Sequence, residues 1–228
     1  MKDLKGLVAR MRDEFLDDTT GAETGDSKWS TPNLVSALNS SERELCRKLF
    51  LLSESTTPDI CQVAITLVNG VYPRSFSISD KIVRIERLKY PGVTKPLLQK
   101  TIQHFDDKDP GWDEMSGVPT MYAVDFESFT VTFNRQPVAV GTVKMGVKRL
   151  PLNDLSEVNM AAFPEIRQYE DELIHGALKW AYLKDDSRTF DPVRAGVWKK
   201  TFDDDIARIT QDKAAMNPQE HICRAERF

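Results

Sequence analysis

The strongest constraint on this chain is a run near its C-terminal end, residues 163–211. Its apolar residues recur at three- and four-residue steps, twice over. In the first half these are Ile166, Tyr169, Leu173, Ala177 and Trp180, with Lys184 closing the stripe. In the second they are Ala195, Trp198, Phe202, Ile206 and Ile209. Each half therefore predicts a helix with one buried face. Between them lie Asp185-Asp186-Ser187-Arg188-Thr189-Phe190 and then Asp191-Pro192. An Asp cap followed by Pro at the first helical position is a helix start, because Pro lacks an N–H where none is needed. So short a link predicts an antiparallel helical hairpin.

Elsewhere the period changes. Residues 2–17 read as a helix with Leu4, Leu7, Val8, Met11 and Phe15 on one face; a polar loop spans 17–28. Trp29-Ser30-Thr31-Pro32 opens a second helix, with a hydroxyl cap, whose Leu34, Leu38, Leu45, Leu49 and Leu52 keep the helical step. From Val63 the step becomes two: Val63, Ile65, Leu67; then Phe76, Ile78; then 82–90, where Arg84, Glu86 and Arg87 blur the alternation. Asn69-Gly70 marks a hairpin turn. Residues 91–119 are irregular, with a short helix expected near Thr101–Asp106. Alternation returns at Tyr122, Val124 and Phe126, at Phe129, Val131 and Phe133, and at Val143, Met145 and Val147. One-sided alternation predicts about six antiparallel strands in a small sheet or sandwich. The expected fold is α+β: a four-helix core (1–56 and 151–216), a β module inserted at 57–150 between the second and third helices, and a polar tail, 217–228.

Charge and composition narrow the function. The 228 residues carry a net charge of −4, so no basic field advertises nucleic-acid binding. Cys46, Cys61 and Cys223 form neither a disulfide framework nor a zinc pattern, as expected for a reducing cytoplasm. No apolar run reaches the roughly 20 residues of a membrane span, and the N-terminus lacks a signal-peptide pattern. No P-loop, G-x-S-x-G or G-x-G-x-x-G occurs.

The candidate sites are few. Asp203-Asp204-Asp205 cannot easily converge on one ion, because successive helical residues point about 100° apart. A solvated helix face is the first reading of the triplet and the lining of an acidic channel the second. His104, His175 and His221 are too scattered for a ligand set, and His175, beside the apolar stripe, reads as a structural residue. Glu165, Glu170, Asp171 and Glu172 read as a solvated face. The tail offers Ile222, Arg224 and Phe228 as anchors for a partner, against the alternative of a frayed end. No cofactor or metal is called for.

Several phrases, in order, carry a resemblance. They are Trp29-Ser30-Thr31-Pro32-Asn33-Leu34 with Leu38-Asn39-Ser40-Ser41-Glu42-Arg43-Glu44-Leu45, then Val83 to Leu88, Gly117 to Tyr122, Phe163-Pro164-Glu165-Ile166, Leu173 to Leu178, and the Asp191-Pro192 opening with Trp198 and Phe202. The chain resembles the head-to-tail adaptor (connector) proteins of tailed bacteriophages, most closely those of short-tailed phages. The resemblance implies a virion structural protein of the neck, made in the bacterial host cytoplasm and without catalytic residues. It implies a twelve-fold ring bound to the portal and to a tail nozzle or other tail protein. DNA would pass through without sequence-specific contacts. The competing readings are a small metal-dependent hydrolase using the acidic clusters and a helical interaction module outside the virion.

Overall fold

The computed structural model describes residues 2–16, 29–68, 70–184 and 189–216. The chain is α+β and divides into two compact units, residues 1–51 with 151–228, and residues 52–150.

The first unit is helical. Helix α1 (Leu4–Arg10) passes directly into a π-helical turn (Met11–Leu16). Asp3 caps α1 by accepting the Gly6 N–H at 2.8 Å, and the next free N–H groups, of Leu4 and Lys5, bond the carbonyls of Ala162 and Met160. Helix α2 (Thr31–Leu49) starts at its proline, but the Ser30 hydroxyl makes no capping bond. The neighbouring Thr31 hydroxyl instead accepts from Arg12 at 3.1 Å. Nor does α2 run to Leu52. Phe50 turns left-handed, at φ 50°, and its N–H bonds the Cys46 carbonyl at 2.9 Å, closing the helix there.

Helix α5 (Glu170–Tyr182) follows a single 3-10 turn (Arg167–Tyr169), and α6 (Pro192–Met216) returns antiparallel to it. Asp191 caps α6 as its sequence predicts, accepting the N–H groups of Val193 (3.1 Å) and Arg194 (3.0 Å). The expected one-sided stripe on α5 is an underestimate. Leu173, Ile174, Ala177, Leu178, Ala181 and Tyr182 are all buried, because α2 packs on one side of α5 and α6 on the other. Trp180, expected inside, is 42% exposed. Gly176 makes that sandwich possible: a Cβ there would lie 2.2 Å from the Ser41 Oγ on α2 and 2.7 Å from the Phe202 ring on α6.

Among its described residues the second unit holds eight strands rather than about six, in two four-stranded sheets. The first sheet is built on β8 (Gly141–Arg149). One edge of β8 pairs with β1 (Leu52–Glu54) and then β2 (Gln62–Ile65); the other pairs with β4 (Ile82–Lys89). Register shifts at Ile82/Arg84 and Ile85/Arg87 explain why the alternation of β4 is blurred. A helical turn, α3 (Pro58–Cys61), sits between β1 and β2. Gly141 admits Pro91, whose ring would lie 2.4 Å from a Cβ there. The second sheet runs β3 (Ser75–Ser77), β7 (Thr130–Phe133), β6 (Met121–Asp125), β5 (Leu98–Gln99). The last pair is parallel, so the sheet is not purely antiparallel as expected. Helix α4 (Ile102–Lys108) covers Met121 and Ala123 through Phe105. Among the described residues no helix is long and apolar enough to cross a membrane.

Candidate functional site

The informative chemistry of the helical unit is polar and buried. Ser41 and Glu42 of α2 face α5 and the segment leading into it. The Ser41 hydroxyl donates to the Leu173 carbonyl at 2.8 Å. One Glu42 oxygen accepts the backbone N–H of Glu165 at 2.7 Å and of Ile166 at 3.4 Å. A turn earlier, the Asn39 amide exchanges two bonds with the backbone of Leu155, at 2.9 and 2.8 Å. Two phrases far apart in sequence, Asn39–Glu42 and Glu165–Ile166, thus meet directly. Burial pushes the Glu42 carboxyl up to about 7, against the two N–H bonds that favour its ionised form.

Two residues along, Glu44 collects three donors: Lys179 at 2.5 Å, Lys48 at 2.9 Å and the Trp180 indole N–H at 3.2 Å. Burial raises this carboxyl, but bonds from the two lysines outweigh that and hold it below the usual carboxylate range. The Lys179 ammonium also lies over the Phe202 ring, 4.8 Å from its centroid. Further along the same face of α5, His175 Nδ1 meets Asp205 at 2.7 Å, and Arg208 bonds Glu172 at 2.7 Å and Asp205 at 3.2 Å. The His175 ring stacks on Trp198, 5.5 Å away, and Phe15 of the π turn meets both edge-on.

These contacts place the expected site residues. Asp203 is exposed and lies 3.5 Å from Lys48, Asp204 is exposed, and Asp205 is turned onto α5. The three do not share a direction. Ile222, Arg224 and Phe228 lie outside the described residues. Glu172, read as part of a solvated face, is instead buried against Arg208. Single-chain patterns hid the buried groups Glu42, Glu172 and Lys179, because their partners sit 123, 36 and 135 residues away. One signal was present. Leu173 to Tyr182 is mostly apolar, so a lysine at 179 falls among core residues, and a buried lysine needs an anion.

Most of the buried polar side chains described above find partners within the helical unit, although the Arg12 Nε has none. Among the described residues no three His, Cys, Asp or Glu side chains come together to hold a metal ion. What faces outward is different in kind. A groove of about 690 Å³ along α2 and α5 is lined by Arg43, Arg47, Lys48, Lys179 and Lys199 around Glu44, with Trp180 and Leu183 as its apolar part. It continues past Trp180 and Leu183 into a second hollow of about 310 Å³ reaching Asn33 and Lys184. On α6, Val193 and Val197 are 77% and 60% exposed, one turn apart.

Residues 2–221 match the family described as SU10 adaptor protein. The chain belongs to that family. No curated protein matches it. As a phage adaptor it is a structural protein of the virion.

Proposed function

We propose that copies of this adaptor close into a ring, twelve-fold by resemblance, that joins the portal to a tail nozzle or other tail protein in the neck of the virion. The ring would continue the channel through which DNA leaves. The observation that carries the reading is the family match over residues 2–221. The division of the helical unit between a largely paired polar interior and outward apolar and charged surfaces supports it. A ring needs heterologous contacts, one surface of each copy against a different surface of the next.

In this reading the helical unit builds the ring and meets the portal, and the β unit, inserted at 52–150, faces the tail. Asp203 and Asp204, both exposed, are the carboxylates available to line a lumen. Repeated around a ring they would repel phosphates and let DNA slide without sequence-specific contact. Ile222, Arg224 and Phe228 would anchor the tail segment on the portal. Electron micrographs of the purified chain, alone and mixed with its portal, test the reading. Rings only in the mixture are expected, and loss of residues 217–228 should thin their occupancy on the portal without unfolding the chain. A stable dimer that ignores the portal would overturn it.

A further inference from the structure

The groove along α2 and α5 is anomalous for a chain of net charge −4. Five cations and one carboxylate line it. Three of the cations are occupied: Arg43 by Asp154, Lys48 by Glu44 and Asp203, and Lys179 by Glu44. Arg47 and Lys199 are exposed and make no ion pair among the described residues. Between them the rim carries half-exposed Trp180 and Leu183, at 42% and 45%. A tryptophan held by its indole N–H bond to Glu44, flanked by unpaired cations, has the composition of an interface anchor.

One segment of the β unit presents the opposite sign. Residues 106–114 carry Asp106, Asp107, Asp109, Asp113 and Glu114 against the single Lys108, and none of these five acids is ion-paired among the described residues. This is not a loose acidic loop. Arg74 reaches across from outside it and donates to the backbone carbonyls of Trp112 (2.5 Å), Asp113 and Met115 (3.1 Å). Its guanidinium also lies 5.1 Å from the Trp112 ring centroid. Trp112 packs on Phe105 at 5.2 Å and donates its indole N–H to Asp106 at 2.7 Å. The segment is fastened at several points and its carboxylates are left outside. Pre-organised in this way, it loses little freedom on docking. Partly exposed Ile102 and Met115 stand at its two ends in sequence.

We infer that the basic groove of one copy receives the acidic 106–114 knob of the next copy, making this the heterologous contact that propagates the assembly. The inference rests on the ring reading and names the surfaces that it requires. The signs match, each partner is exposed, and the groove supplies apolar area where Ile102 or Met115 can bury. Because the two surfaces differ, each copy keeps one of each kind free until the ring closes. The apolar part of the groove, Trp180 and Leu183, favours a protein knob with apolar neighbours over a nucleic-acid backbone, which has none to bury there.

Two complementary variants test the contact without needing a ring. One carries Arg47→Glu with Lys199→Glu and keeps its knob; the other carries Asp107→Lys with Glu114→Lys and keeps its groove. All four positions are exposed, so both variants should melt like the unaltered chain. Each should sediment as a monomer alone. Mixed in the presence of the portal, they should pair one-to-one on it and stop there, since each partner has a single working surface. Raising the salt to about 0.5 M should weaken that heterodimer by about tenfold or more. No heterodimer in the mixture overturns the inference, and so does portal-bound ring formation by either variant at the unaltered level. A heterodimer in the mixture with no ring from the unaltered chain would keep this contact and refute the ring.

Discussion

The two units of this adaptor specify themselves in opposite ways. The β unit is one continuous stretch, and most of its strands are announced by local alternation; β8 then collects three partners along its two edges. The helical unit is assembled from both ends of the chain. Its register rests on buried polar groups that find partners more than a hundred residues away, as Glu42 finds Glu165 and Lys179 finds Glu44. Buried pairs of this kind contribute little net stability, yet leaving one partner alone is costly. The helical unit therefore has a sharply defined arrangement that tolerates little change inside, whereas the β unit spreads its definition over many backbone bonds.

This contrast can be broken by substitutions confined to one side. The largest effect is expected from Phe202→Ala. That ring is fully buried, touches the Gly176 notch and lies under Lys179. Truncating it should cost about 3–5 kcal/mol. Amide exchange should show the loss in α2, α5 and α6 while β8 keeps its protection. Equal loss in β8 would mean that the two units unfold as one.

Next comes pH. The folded-state pKa of Glu42 is raised from the ordinary 4.5 to about 7. Between those values the folded chain holds a proton that the unfolded chain releases, so stability falls as pH rises through the window, by roughly 3 kcal/mol. Glu44, held low, acts below the window and with the opposite sign. Urea unfolding from pH 4.5 to 7.5 should slope downward for the unaltered chain and be nearly flat for Glu42→Gln. Parallel slopes would remove Glu42 as the cause.

The smallest effect belongs to the β unit. The Thr101 hydroxyl caps α4 by accepting the His104 N–H at 3.2 Å. Thr101→Ala should cost about 1 kcal/mol, seen as faster exchange at 105–108 and nowhere in the helical unit. A shift in the melting of α5 or α6 would show the units to be more tightly linked than their separate cores suggest.

How much of this was legible beforehand follows from the same contrast. The start of α2 beside Pro32, the Asp191-Pro192 opening of α6 and six of the eight described strands follow from spacing and caps. Strands β1 and β5 do not, because two or three residues carry no period and exist only through their pairing with β8 and β6. The stop at Phe50 was hidden because a non-glycine residue takes the left-handed position, and Leu52 falls on the helical step although it is β. Of the candidate site residues, Asp205 could not be separated from Asp203 and Asp204 without knowing that His175 and Arg208 wait opposite it. The groove was invisible for a related reason: its cations come from three helices and form a patch only once α2, α5 and α6 are laid together.

The split origin of the helical unit also sets an order on the ribosome. The apolar face of α2 is complete once Leu49 is made, but the helix that covers it begins at Glu170. At about 5–20 residues per second that face waits roughly 6–24 seconds for α5. Meanwhile all strands of the intervening unit are synthesised, and the first sheet can close when Arg149 emerges. The middle of the nascent chain can therefore close before the apolar face of its N-terminal helix has a covering partner.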